Sequence, residues 1–190
     1  MAGTREQIAA IDAAAATAGR TERPTLQIAF RPIIAPTEEL AWAKAERVLE
    51  RINAVKDGGH QLRRPAGVTP ENAGSQRLLA AAASGDRHDR ALWTAPTGVT
   101  GGGGNSTALV GTPETVAAAL LDYYDLGINI LSARGYDIYD DAIDFGRYVI
   151  PLVRAEVARR DAAAADAAAL RLEESRRAAA QGPLAFAANN

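Results

Sequence analysis

The sequence contains no cysteine, so disulfides, thiolate metal sites and cysteine nucleophiles are all excluded. Histidine is almost as scarce, and we interpret the only two, His60 and His88, as solvated loop residues rather than metal ligands. Neither sign of charge dominates, since the formal net charge is −2, whereas nucleic-acid binders carry a basic surface. The sequence therefore predicts no metal site and no nucleic-acid partner.

Long hydrophobic runs are absent as well. The longest are interrupted by charged residues well before the roughly 20 positions that a membrane-spanning helix needs. The first ten residues have no apolar core flanked by basic residues, so we expect no signal peptide and no membrane partner. These features predict a cytoplasmic protein.

Strand and helix patterns alternate along the chain. Apolar and polar residues alternate over Thr25–Ile34, which is typical of a strand, although Pro32 lacks the N–H that pairing on one side requires. Apolar residues then recur every three or four positions over Pro36–Gly58, as in an amphipathic helix. Short strands are predicted at Thr107–Val110 and Ile128–Leu131, each followed by a helix.

This order of elements predicts βαβ units and a parallel sheet, preceded by a helix whose capping box is formed by Thr4 and Gln7. Three parallel strands cannot close a (β/α)8 barrel, which takes eight. We therefore expect an α/β fold that is either part of a larger barrel or a sheet completed by another chain, for example in a homo-oligomer. The predicted barrel part spans residues 1–154 and contains a mobile insertion at 60–106, and an alanine-rich, helical to disordered tail spans 155–190.

Polar residues near the ends of the predicted strands are the first candidates for a site, because barrel active sites lie at the carboxyl ends of the strands. Arg31 lies near the end of its strand, where it either binds an anionic group or forms a salt bridge. Tyr136 follows the last strand. Gly111 and Thr112 join a strand to a helix, where free N–H groups either bind an anion or only cap the helix. The spacing leaves these alternatives open.

Two other features have structural interpretations. The run Gly101–Gly104 precedes a strand and no lysine follows it, so it is not a phosphate-binding loop, and a flexible lid and a plain linker remain as its alternatives. A cluster of carboxylates follows the last strand, and we interpret it as helix N-terminal charges on a solvated face. Its members are Asp137, Asp140, Asp141 and Asp144.

A family resemblance is carried by residues 107–154, which read TALVGTPETVAAALLDYYDLGINILSARGYDIYDDAIDFGRYVIPLVR. This segment resembles the last two β/α units of the luciferase-like flavin-dependent monooxygenases, and especially those of the alkanesulfonate group. An upstream segment, AFRPIIAPTEELAWAKAERVLERI, resembles the sixth strand and helix of that family. The similarity covers roughly residues 4–154.

The resemblance implies the C-terminal part of a TIM barrel, with the barrel incomplete in this chain. It implies an enzyme that uses reduced FMN, supplied by a flavin reductase, and O2 to oxygenate a small organic substrate. In the alkanesulfonate group the products are an aldehyde and sulfite. The alternatives are a deazaflavin-dependent oxidoreductase of the same superfamily and a truncated, non-catalytic half-barrel.

The resemblance also implies roles for individual residues. Arg31 matches the strand-six arginine at the sulfonate end of the site, and Tyr136 matches a tyrosine that donates a hydrogen bond or carries a proton. The chain departs from the group at Ile33, where the alkanesulfonate enzymes place a histidine, and at Gly103, where the lid usually carries an arginine. Both departures weaken the sulfonate assignment more than the flavin assignment.

The flavin-binding candidates come from the segment that matches the family's mobile lid, Gly101–Ser106, and from the strand-to-helix junction that follows it. The predicted catalytic residues are the arginine and the tyrosine, and no metal ligand is predicted. The predicted cofactor-binding residues are Gly103, Asn105, Ser106, Gly111 and Thr112.

Overall fold

The computed structural model of the chain describes residues 1–58, 70–102 and 107–180. The chain divides into two compact units, Met1–Val153 and Arg154–Asn190. Every strand among the described residues lies in the first unit. In chain order the elements are α1 (Ala2–Thr17), β1 (Gln27–Ile34), α2 (Glu38–Asp57), α3 (Ala73–Ser84), β2 (Arg87–His88), β3 (Leu92–Trp93), α4 (Ala95–Thr100), β4 (Ala108–Gly111), α5 (Pro113–Tyr124), β5 (Ile130–Ala133), α6 (Asp140–Asp144), a π-helical turn (Phe145–Val149) and α7 (Ile150–Ala180).

The strands form one sheet in the order β2-β3-β4-β1-β5. β4, β1 and β5 are parallel, whereas β3 runs antiparallel to β4 and to β2. The predicted α/β fold, an incomplete barrel with three parallel strands and helices, is confirmed. In a closed barrel each strand pairs with the next one along the chain. Here β5 instead pairs with the free edge of β1, so that β1 lies in the middle of the parallel strands.

Pro32 determines how far each neighbour pairs with β1. The second half of β1 pairs with β4, beginning at Arg31 opposite Ala108. The first half pairs with β5 and ends at Phe30, whose carbonyl accepts from Arg134 N at 3.1 Å. Since alternate residues of a parallel strand bond to the same neighbour, Pro32 faces β5, where its nitrogen cannot donate. The prediction that this strand is unpaired on one side near its end is confirmed.

The two faces of the sheet are covered by different helices. Phe30 and Ile34 of β1 belong to a core cluster with residues of α5, whereas Ile33 belongs to a second cluster with residues of α2. Successive residues of a strand point to opposite faces, so α2 and α5 lie on opposite sides of the sheet. Ile33 is only 1% exposed. The position at which the resemblance expects a histidine is therefore filled by a core side chain.

The insertion contains more regular structure than the sequence predicts. Its described part, residues 70–102, forms α3, the short β2–β3 pair and α4. Strands of two residues are too short to show an alternating pattern. Thr94, the N-cap residue of α4, is fully buried, and its hydroxyl donates to the carbonyl of Gly85 at 2.8 Å. The carbonyl of Gly85 also lies 2.7 Å from the ring nitrogen Nε2 of His88, while His60 lies outside the described residues.

The first and the last helix each have an irregular N-terminal end. The capping box is absent, because α1 begins at Ala2 with Met1 as its N-cap and no side-chain cap bond. Near the other end, the π-helical turn precedes Pro151, which cannot donate to a preceding carbonyl. Although α7 runs for 31 residues, neither it nor any other helix in the described part is apolar enough to cross a membrane.

Candidate functional site

The carboxyl ends of β4, β1 and β5 lie at one edge of the sheet because the strands are parallel. After β1 the chain passes to α2 on one face, whereas after β4 it passes to α5 on the other. The helical segment after β5 also packs with the α5 cluster, through Phe145, Val149 and Val153. Where connections leave adjacent strands toward opposite faces, a crevice opens at the strand ends, and ligands bind there in open α/β sheets. Such a crevice lies on each side of β1.

The crevice between β1 and β5 contains the two predicted catalytic residues. The guanidinium carbon of Arg31 lies 4.7 Å from the centre of the Tyr136 ring, in a cation–π contact. Nη1 of Arg31 donates to the carbonyl of Gly135 at 2.8 Å. The structure therefore brings Arg31 and Tyr136 together although 105 positions separate them in the sequence. Their catalytic roles stay a prediction.

The hydroxyl of Tyr136 is buried and has no hydrogen-bond partner among the described residues. Burial raises the pKa of this hydroxyl to about 12, and the neighbouring charge of Arg31 partly opposes the increase. Tyr136 is therefore a neutral hydrogen-bond donor near pH 7. A buried polar group without a partner costs about 1–3 kcal/mol, and such groups concentrate at functional sites.

Tyr136→Phe is accordingly expected to raise the free energy of unfolding by about 1 kcal/mol, because it removes a buried donor that has no partner in the folded state. Urea denaturation followed by tryptophan fluorescence measures this change. Tyr148→Phe is the matched control, since Tyr148 is 45% exposed and loss of its hydroxyl should leave stability unchanged. A destabilised Tyr136→Phe variant would show that the hydroxyl has a structural partner.

An ion pair between half-exposed Lys44 and buried Asp141 supports the loop that carries Tyr136. Asp141, at 4% exposure, accepts from Lys44 Nζ at 2.8 Å through Oδ1 and from Asp137 N at 3.0 Å through Oδ2. The interpretation of Asp141 as a solvated helix charge is therefore wrong. Asp137 fits that interpretation, because its Oδ1 accepts from the backbone N–H of Tyr139 and Asp140 at 3.1 and 3.0 Å.

Close packing between Gly135 and Asp141 completes this support. A Cβ atom at position 135 would lie 2.6 Å from Asp141 Cγ and closer still to other atoms of that side chain. Beside these residues is a cavity of about 170 Å³ at the point where pairing with β5 stops. Its lining includes Pro32, Arg134 and Phe145. The volume is sufficient for a few water molecules or a small polar head group.

The second crevice, between β1 and β4, is closed by Glu38 from the first turn of α2. Its Oε1 accepts from Thr112 N at 3.1 Å and from the Thr115 hydroxyl at 2.6 Å. Gly111 has a φ of +156°, and a Cβ atom there would lie 3.1 Å from the same carboxylate oxygen and 2.8 Å from Thr115. The N-terminus of α5 thus already binds an anion, and that anion belongs to the protein itself.

Glu38→Ala is expected to lower the free energy of unfolding by about 1–2 kcal/mol, since it removes two hydrogen bonds to a charged acceptor at a helix N-terminus. If Gly111 and Thr112 can bind a phosphate, millimolar inorganic phosphate should raise the melting temperature of this variant and not that of the wild type. Glu39→Ala is the control, because Glu39 is exposed on the same helical turn. Equal phosphate effects in all three proteins would argue against an anion site at the N-terminus of α5.

The remaining flavin-binding candidates cannot be placed. Gly103, Asn105 and Ser106 lie outside the described residues and stay predictions, as does the lid role of this segment. Within residues 1–58, 70–102 and 107–180, no group of three or more histidine and acidic side chains is arranged to hold a metal ion. Sequence reasoning missed Glu38 and Lys44, because a single charged residue on an exposed helical pattern gives no signal of a partner elsewhere in the chain.

The comparisons with known proteins agree with this architecture. The sequence model described as luciferase-like monooxygenase matches residues 1–129, a range that includes Arg31 but ends before Tyr136. Among solved structures, riboflavin lyase (RcaE), crystallised with modified FMN and its substrate riboflavin, is 26% identical with a TM-score of 0.51. DmoA from Hyphomicrobium sulfonivorans is 21% identical with a TM-score of 0.52, and this similarity concerns the fold alone.

Both similarities cover most of this chain but only about a third of each solved structure. Each comparison covers 80% of this chain, but only 36% of riboflavin lyase and 34% of DmoA. The chain therefore spans about a third of the length of the solved structures that it matches.

Proposed function

Since the chain belongs to the luciferase-like monooxygenase family, we propose that it is part of a flavin-dependent monooxygenase and contributes the end of the site that binds the substrate's head group. The observation that carries this proposal is the contact between Arg31 and Tyr136 in the crevice beside β5. This crevice combines a cation and a neutral hydrogen-bond donor at the carboxyl edge of the sheet, and the cavity of about 170 Å³ next to it is lined by Arg134 and Gly135 rather than by Arg31 or Tyr136. That combination suits a small anionic group.

We propose an alkanesulfonate as the substrate. A guanidinium presents planar N–H donors that match the oxygens of an anion, and its charge does not depend on pH in the physiological range. The bond to the Gly135 carbonyl and the contact with the Tyr136 ring hold the Arg31 side chain in one position, so binding a substrate costs little further ordering. The neutral phenol of Tyr136 donates a hydrogen bond without repelling the anion.

We propose reduced FMN, delivered by a flavin reductase, as the cofactor that supplies the electrons for activating O2. The described residues do not fit the FMN phosphate at Gly111 and Thr112 while Glu38 occupies that position, because a phosphate dianion and a carboxylate repel each other. What Arg31 and Tyr136 do is bind and orient the substrate, and the protonated Tyr136 can give a proton to a negative oxygen formed beside it.

The proposal is tested by titrating the purified chain with a medium-length alkanesulfonate, with the alcohol of equal length as the reference ligand, in a calorimeter. Sulfonate is expected to bind more tightly than the alcohol. Arg31→Gln should weaken sulfonate binding by about tenfold or more, as expected for loss of a charge-assisted contact of about 1.5–3 kcal/mol. Tyr136→Phe should weaken it less, because a neutral donor contributes about 1 kcal/mol.

Arg23→Gln is the matched control, because Arg23 is an exposed arginine whose partner is Asp12, outside the crevice. Its affinity for the sulfonate should equal that of the wild type. Equal binding of sulfonate and alcohol would contradict the substrate class. Unchanged sulfonate binding by Arg31→Gln would contradict the assignment of the site to the crevice beside β5.

A further inference from the structure

One buried side chain, the carboxylate of Asp141, contacts the chain on both sides of Tyr136. It packs against Gly135 so closely that a Cβ atom there would lie 2.6 Å from Asp141 Cγ. On the other side, Oδ2 of Asp141 accepts from Asp137 N at 3.0 Å. The carbonyl that accepts from Arg31 belongs to Gly135 and therefore lies on the first of these two sides. A single carboxylate thus holds the backbone from which both candidate catalytic residues take their positions.

Asp141 is not required as a cap for the helix that it lies on. The backbone N–H groups of Tyr139 and Asp140, at the start of α6, donate to Oδ1 of Asp137 at 3.1 and 3.0 Å. The two oxygens of Asp141 accept instead from Lys44 Nζ and from Asp137 N. A buried carboxylate is costly to desolvate, and apolar residues of similar volume often replace a buried ion pair without loss of stability. Stability is therefore a weak reason for a charged group at this position.

The charged partner of Asp141 comes from a helix on the other face of the sheet. Lys44 lies on α2, whose buried residues form the core cluster of one face. Asp141 lies on α6, and the π-helical turn that follows α6 packs with the cluster of the opposite face through Phe145 and Val149. The bond of 2.8 Å between Lys44 Nζ and Asp141 Oδ1 therefore joins the two layers next to the loop that carries Tyr136.

We propose that Asp141 is a positioning residue for Arg31 and Tyr136, and that Lys44 holds Asp141 in the orientation that this role requires. Without the carboxylate, the Gly135 carbonyl can turn away, and the guanidinium loses an acceptor that fixes it. Binding an anion must then also order the Arg31 side chain, which weakens the affinity by about two- to tenfold. The effect on affinity rests on the proposed function, whereas the effect on the position of Arg31 does not.

The substitution Asp141→Asn distinguishes positioning from a simple effect of charge. A negative charge near an anion site weakens binding, so a purely electrostatic role predicts that Asp141→Asn strengthens sulfonate binding. A positioning role predicts the opposite, because the single oxygen of an amide cannot replace both oxygens that accept from Lys44 and from Asp137 N. Asp140→Asn is the matched control, since it makes the same chemical change at an exposed carboxylate one position away.

The first measurement needs no ligand. In a chain made with isotope-labelled arginine, NMR follows the guanidinium of Arg31, whose signals are identified by their absence in Arg31→Gln. The wild type should show separate Nη signals, because a bond to a fixed carbonyl slows rotation of the guanidinium. Asp141→Asn and Lys44→Met should merge these signals. Asp140→Asn should leave them separate, as should Lys44→Arg, which keeps a cation that can pair with Asp141.

The second measurement is calorimetric titration of the same variants with hexanesulfonate and with hexanol. Asp141→Asn and Lys44→Met should weaken sulfonate binding by about two- to tenfold and leave alcohol binding unchanged, whereas a general loss of folded protein would weaken both. Circular dichroism establishes which variants are folded, and if Asp141→Asn unfolds, the outcome depends on Lys44→Met.

Separate Arg31 signals in the folded Asp141→Asn and Lys44→Met variants would overturn the positioning role. Merged signals in the wild type, or tighter sulfonate binding by Asp141→Asn, would overturn it as well. Signals that merge only in these variants, combined with equal binding of sulfonate and alcohol by the wild type, would support the positioning role and contradict the proposed substrate. The two proposals can therefore fail separately.

Discussion

Gly135→Ala should lower the free energy of unfolding by about 3 kcal/mol or more, at the upper end of what overpacking costs. The added Cβ overlaps the buried Asp141 side chain, which two hydrogen bonds hold in place. Either the loop or α6 must move, and both movements disturb the carbonyl that accepts from Arg31. Urea denaturation measures the loss, and sulfonate binding by any folded fraction should fall as well.

Gly146→Ala is the matched control for this substitution. A Cβ atom at position 146 meets nothing within 4 Å, and the residue lies inside the π-helical turn. Alanine should therefore leave stability unchanged or increase it by about 0.5–1 kcal/mol, as expected for glycine replaced within a helix. If both variants lose the same stability, the loss is caused by replacing any glycine in this part of the chain and not by the packing of Gly135 against Asp141.

Lys44→Met should lower the free energy of unfolding by about 2–3 kcal/mol, because it leaves the Asp141 carboxylate buried without its charged partner. The loss should be smaller than the roughly 3–5 kcal/mol of a fully buried pair, since Lys44 remains 31% exposed and water screens its charge. Denaturation of the single variants and of the double variant Lys44→Met/Asp141→Asn gives the coupling between the two side chains. A coupling near zero would show that the pair contributes nothing beyond its separate packing.

Lys56→Met provides the comparison. Lys56 lies in the last turn of the same helix and is exposed, so its replacement should cost only a few tenths of a kcal/mol. A loss equal to that of Lys44→Met would indicate a general effect of charge on α2.

The sequence predicts the helices and strands better than it predicts which of them pair or pack together. Local sequence signals are sufficient to predict where α2 and α5 begin. Thr37 and Thr112 each accept from a backbone N–H of the first helical turn, at 3.3 Å in both cases. The pairing of β5 with β1 has no such signal, because it depends on which strand edges are available in three dimensions. The same is true of Lys44 and Asp141, whose contact joins two helices 97 positions apart.

In the candidate site too, individual residues are predictable from the sequence, but the residues that support them are not. Arg31 and Tyr136 were identified from strand ends and from the family resemblance, and the structure places them in contact. No sequence pattern indicates the role of Gly135, and the pattern that places Asp141 on a solvated face is wrong. Charged residues near a helix start are usually solvated, whereas Asp141 packs against Gly135 and pairs with Lys44 of α2.

In any assembly of this chain, Pro32 prevents regular strand pairing along one edge of β1. Its ring nitrogen cannot bond to a strand on the side where β5 lies, whichever chain provides that strand. A longer sheet or a different neighbour would therefore also lose regular pairing after Phe30. The opening beside Arg31 therefore follows from the missing N–H of Pro32. It should remain even if the neighbouring strands are rearranged.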